Sequence, residues 1–193
     1  MVSRSVELLT TRRRFGGAAL VLAGLAVAGV ILWPAVFGDD PAPQARSPVR
    51  LVSVPQLGIA FAHPSSWKRS VGGRVIRLRS PDGAAVMTFA SVGGRRPKEV
   101  KAVLLRTLRR RLKPATVARD APGRLGTRSA ASFELVGLSP GTRERALALV
   151  EDTAYRTYAV TLLTPARPSR KRLLEATQIL ASVRLTKPLA SKG

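Results

Sequence analysis

The sequence predicts an α+β fold: a central antiparallel sheet flanked by helices, behind an N-terminal transmembrane helix. Three observations predict it. Residues 16–37 carry no charge. Apolar residues recur with a helical period in two separated later stretches. Two-residue alternation, broken by Pro and Gly turns, fills the ground between them. With 193 residues and 45% apolar content, the chain is sized for one domain plus appendages and is too apolar to be a disordered basic tail.

Residues 1–15 form a basic cytoplasmic tail containing Arg4, Arg12, Arg13 and Arg14 against Glu7. The run that follows, GGAALVLAGLAVAGVILWPAVF, would form a helix roughly 33 Å long, enough for a hydrocarbon core of about 30 Å. It lacks the polar face of a soluble amphipathic helix. Trp33 suits the outer interface, and Asp39 and Asp40 follow the span. Positive charge resists translocation, so the expected topology is single-pass in the plasma membrane, N-terminus cytoplasmic and C-terminal domain extracytoplasmic. A secreted form is the alternative. Thr11-Arg12-Arg13-Arg14-Phe15 resembles a twin-arginine export signal, and Ala26-Val27-Ala28 could serve as a cleavage site. Against cleavage, GVILWPAVF would remain as an apolar new N-terminus. The expectation is an uncleaved signal anchor.

Residues 38–50 read as a Pro-rich linker, 51–187 as the exported globular domain, and 188–193 as a tail. Within the domain, Val75-Ile76-Arg77-Leu78-Arg79 alternates with Ile76 and Leu78 inward, and Ser80-Pro81-Asp82-Gly83 is a turn. The return strand over 84–92 carries Met87 and Phe89. Val100, Val103, Leu104, Leu108 and Leu112 form one stripe of a helix over 97–113, which Pro97 opens and Pro114 stops. Strands are predicted at 129–136, 145–151 and 155–163. A closing helix over 169–183 carries Leu173, Ala176, Leu180 and Val183, with Ser169 as its N-cap.

The domain opens with Gly58-Ile59-Ala60-Phe61, then Ala62-His63-Pro64-Ser65-Ser66-Trp67-Lys68. This stretch and the element order after it resemble the PsbP-like/DcrB-like superfamily, which includes actinobacterial envelope proteins of the LpqN type. The resemblance implies an α/β/α sandwich and a non-enzymatic role in assembly or as a cell-envelope accessory. Two departures stand out. His63 occupies a position where the family usually has Tyr or another aromatic, and the lipobox Cys of the lipoprotein members is absent. The residues alone give His63, Pro64 and Trp67 a structural reading: Pro64 holds His63 extended, and Trp67 covers one end of the sheet.

Catalytic constellations are sparse. His63 is the only histidine and there are no cysteines, so a zinc site of the usual ligands cannot assemble. No G-x-S-x-G surrounds a serine. Glu151 and Asp152, as neighbours on a strand, would face opposite ways. The expectation is no enzyme, no cofactor and no metal.

Charge is the remaining feature. Lys and Arg total 33 against 11 Asp and Glu, for +22 and a pI of about 11.9. The part after residue 37 keeps all but four of the basic residues and all but one of the acidic ones, a net +19. Anionic partners follow from that balance. The densest runs are Arg109-Arg110-Arg111 and Arg170-Lys171-Arg172. The second opposes its helix dipole, which points to a use beyond helix stability. These six residues are the candidate anionic-surface contacts, although a basic coding bias would produce a merely solvated surface as well. The function read from the sequence is a membrane-anchored envelope accessory domain that binds a protein, an anionic lipid or a cell-wall polymer. Two other readings stay open: a nucleic-acid-binding module, disfavoured by export and by few aromatic rings, and an exported hydrolase.

Overall fold

The computed structural model describes residues 48–189. The predicted span over 16–37, the cytoplasmic tail before it and the first part of the linker lie outside the described residues. Among the described residues, no helix is long and apolar enough to cross a membrane.

The order of elements is β1 (Val49–Val54), β2 (Ile59–Pro64), β3 (Lys68–Gly72), β4 (Val75–Arg79), β5 (Val86–Val92), α1 (Pro97–Arg111), β6 (Ala115–Asp120), β7 (Gly123–Leu125), β8 (Arg128–Ser139), β9 (Thr142–Asp152), β10 (Thr157–Pro165), α2 (Arg170–Ser182) and β11 (Arg184–Leu185). The larger sheet runs β3-β4-β5-β10-β9-β8-β6, with β7 paired to β8; a smaller one runs β1-β2-β11, and every pairing is antiparallel. The predicted α+β class and antiparallel sheet stand.

Alternation along the long strands sorts their side chains onto two faces. Phe133, Leu135, Ala146, Ala148, Val150 and Ala159 face α1, which seats Val100, Leu104, Leu108 and Leu112 on them. Leu147, Leu149, Tyr158, Val160, Met87 and Phe89 face the other way, toward α2 and β2. On that side the helical layer is not alone. The second layer is α2 lying beside the three-stranded sheet, because β2 brings its own apolar face, Ile59 and Phe61, to the same core. Phe61 stacks on Phe89 at 4.8 Å between ring centroids, clamping the small sheet to the large one. Tyr158 completes the clamp by donating its hydroxyl to the Leu57 carbonyl at 3.0 Å.

Both ends of the domain and one side chain of α1 differ from expectation. β1 begins at Val49, inside the stretch read as linker, and Leu189 N–H bonds the Pro55 carbonyl at 2.9 Å, so the start of the tail is tied down. Val103 is 41% exposed. At about 100° per residue the buried arc of α1 is centred between Leu104 and Leu108, and Val103 falls roughly 120° away from that centre.

Candidate cationic interface

The residues of the HPSSW stretch are structural. Pro64 ends β2, and its carbonyl accepts the Trp67 N–H at 3.0 Å, closing a turn that places the indole in the core, 2% exposed. Trp67 Nε1 donates to Glu175 Oε2 at 2.9 Å, and Arg172 Nη1 donates to the same oxygen at 2.5 Å. Arg172 Nε reaches Asp82 Oδ2 at 2.8 Å, while Asp82 Oδ1 accepts the Ser80 hydroxyl at 2.5 Å. The HPSSW turn and the SPDG turn are thus joined through the first turn of α2. The Ser80 hydroxyl first, and Arg172 next, hold the Asp82 carboxyl at about 2. His63 is buried with its ring 6.1 Å from that of Phe61, and its Nδ1 donates to the Pro64 carbonyl at 2.8 Å. Among the described residues, no cluster of His, Asp or Glu is disposed to hold a metal ion.

The two arginine runs do not form one surface, because α1 and α2 lie on opposite faces of the large sheet. Their members also differ in what they do. Arg172 was expected to contribute to an open cationic surface, but its side chain is 12% exposed and held by both Asp82 and Glu175. This spends the charge that opposes the helix dipole inside the protein. Arg170 and Lys171 are exposed beside it. Arg111 leans on Glu144 at 3.3 Å.

Arg109 and Arg110 remain on the outward face of α1. With Ala102, Leu105, Arg106 and Lys113 they line a shallow depression of about 370 Å³. The positions 102, 105, 106, 109, 110 and 113 follow the three- and four-residue steps of one helix face, opposite the buried stripe. Among the described residues, the ion pairs of Asp82, Asp120, Glu134, Glu144, Glu151 and Glu175 go to Lys101, Arg111, Arg128, Arg145 and Arg172, and none goes to Arg106, Arg109 or Arg110. The pattern that adds Arg106 to the site is present in the sequence as a basic stripe with helical period, which attention to runs alone passes over.

A second cationic group lies on the large sheet. Lys68 and Arg79 are directly opposed across β3 and β4, and Arg77 faces Ser70 in the next same-face pair. All four are exposed.

Glu134, a buried carboxylate outside the α2 network, has its pKa raised. Burial pushes it up, against the pull of Arg145, whose Nε lies 2.5 Å away, and of Arg119. The space beside it has room for about one water, too small for a substrate.

No family model and no curated relative matches the chain. Solved structures do. The solution structure of cyanobacterial PsbP (CyanoP) from Synechocystis aligns over 76% of this chain and 98% of its own, with 11% identity and a TM-score of 0.50. The Saccharomyces cerevisiae Ran-binding protein Mog1p aligns over 74% and 97%, with 6% identity and a TM-score of 0.51. A Bacteroides thetaiotaomicron structure aligns over 71% of this chain with 17% identity and a TM-score of 0.50; the chain spans about half of that protein's length, 48%. Identities this low speak for architecture alone. The layered antiparallel sheet with its two helices is the PsbP-like fold.

Proposed function

We propose that the protein is a non-enzymatic cell-envelope accessory domain, held at the outer side of the plasma membrane by its N-terminal segment, that holds an anionic partner on the outward face of α1. The observation that carries this reading is the stripe of Arg106, Arg109 and Arg110, outside every ion pair made by the acidic residues of the described chain. Such a stripe has a standing electrostatic use for an anion and costs the fold nothing when the anion is bound. The same fold serves a Ran-binding protein, so it is a scaffold on which a partner can be held. The buried polar groups are spent on structure: His63 on a carbonyl, Glu175 on Trp67 and Arg172. That favours a binding role over a hydrolase.

The test is co-sedimentation of the full chain with anionic and with neutral cell-envelope polymer, at low and high salt. Binding should be selective for the anionic polymer and fall steeply near 1 M salt, where the Debye length is about 3 Å. R106E/R109E/R110E should abolish the selectivity. Equal binding to both polymers, or binding indifferent to salt and to these substitutions, would remove the reading. Protease added to intact cells tests the topology separately, and should digest the domain while leaving a membrane-bound stub.

A further inference from the structure

We infer that the free edge of β3 is a docking site for an extended acidic segment of another protein, whose side chains alternate acidic and apolar. This site stands apart from the α1 stripe. Among the described residues β3 ends the large sheet, so one side of its backbone has no strand partner there, and all five of its residues are exposed. Such an edge is a template for a further strand.

The charges decide which strand. Lys68 and Ser70 share a face with Arg79 and Arg77, their cross-strand partners on β4. Like charges directly opposed across a ladder are unfavourable, and here Lys68 faces Arg79 with no acidic residue on β3, β4 or β5 to relieve them. Successive same-face residues in a strand lie about 6.8 Å apart. Carboxylates at every second position of an added strand would therefore repeat in step with Lys68 and Ser70, with the long side chains of Arg77 and Arg79 behind them. On the opposite face β3 presents Arg69 beside the buried Leu78 and Val71, 49% exposed, beside the buried Ile76, so Val71 offers the contact for an apolar residue between the acids. α1 packs on β8, β9 and β10 and leaves this end of the sheet open. A second copy of this chain fits poorly, since its own β3 edge has no carboxylate to set against Lys68, Arg77 and Arg79.

The experiment titrates the full-length chain with a labelled short peptide alternating Glu and Val, and with the same residues arranged as one Glu block and one Val block. Anionic vesicles are a third arm. Amide hydrogen exchange is followed in each. The alternating peptide should bind about tenfold more tightly than the block peptide, as strand addition reads register as well as charge. Exchange at residues 68–72 should slow when it binds. K68E/R77E/R79E should abolish that binding and gain binding to a peptide alternating Lys and Val, which also establishes that the variant is folded. R106E/R109E/R110E should leave alternating-peptide binding within about twofold. Equal affinity for the alternating and block peptides, protection confined to α1, or protection of 68–72 by vesicles as strong as by peptide would overturn the proposal. So would an absence of binding.

Discussion

Trp67 donates its indole N–H to Glu175, a residue 108 positions away in sequence, at 2.9 Å. The bond ties the turn after β2 to the first turns of α2 inside the main core, and both side chains are buried. Replacing Trp67 with Ala should cost about 3–5 kcal/mol, the range for truncated buried aromatics. Trp67→Phe keeps much of the ring volume and removes the donor, and should cost nearer 1–2 kcal/mol. Urea unfolding followed by circular dichroism separates the two. A Trp67→Phe loss near zero would mean that the hydrogen bond contributes nothing, and a loss equal to that of Trp67→Ala would mean that the ring volume does.

Arg172 is the second test of the same network. Arg172→Met leaves Glu175 buried beside an indole N–H but without a cation, and should destabilise by about 3–5 kcal/mol, as for a broken buried ion pair. Lys171→Ala, one residue earlier and exposed, should fall within about 0.5 kcal/mol of the parent. Arg172→Lys should recover only part of the loss, because one ammonium cannot present the two donor arms that reach Asp82 and Glu175. If Arg172 were a surface contact, the two neighbouring substitutions would behave alike.

The Asp82 carboxyl titrates at about 2 in the folded protein against 3.8 when unperturbed. A depressed folded value means that the unfolded chain binds the extra proton first as pH falls, so the stabilisation is complete above about pH 4 and disappears as pH drops through about 2. Urea midpoints measured from pH 5 down to pH 2 should therefore fall less in Asp82→Asn than in the parent. Parallel curves would mean that the Ser80 and Arg172 contacts do not favour the ionised form.

Gly126 sits at a φ of +61°, donates its N–H to the Leu180 carbonyl at 2.8 Å, and leaves no room for a Cβ, which would run into the carbonyl oxygen of Val183. Gly126→Ala combines a left-handed backbone with a clash against a main-chain atom and should cost more than about 2 kcal/mol. Gly141→Ala, also at positive φ but with open space around it, isolates the backbone contribution and should cost about 1 kcal/mol. Thermal midpoints of the two variants distinguish strain from collision.

The sequence makes the regular parts of the fold readable where burial is one-sided. β4 and β5 alternate cleanly because one face meets the core, and α1 and α2 carry apolar stripes for the same reason. β3 and β6 escape notice because edge strands with both faces open have no alternation to read; KRSVG is exposed throughout. β7 and β11 are too short to carry a period, and β11 exists only through its pairing with β2. The cationic site divides in the same way. Arg109 and Arg110 are visible as part of a run, whereas the fate of Arg172 depends on Asp82, 90 residues distant, which no local pattern announces.

The small sheet has a consequence for how the chain reaches this structure. β2 is among the first strands made, yet its partners on one side come last: the Ala62 N–H bonds the Ser182 hydroxyl, 120 residues away, at 2.9 Å, and β11 closes onto Ile59 and Ala60. The main core, with Ala176, Ile179, Leu180 and Val183 at its centre, cannot close until those residues have been synthesised. Contacts of such long span impose a large loop-closure entropy before they return any stabilisation, so folding should be slow for a domain of this size. During that interval Phe61, Trp67 and Phe89 stay accessible to water, and the nascent domain is open to being threaded or captured in a way the finished one is not.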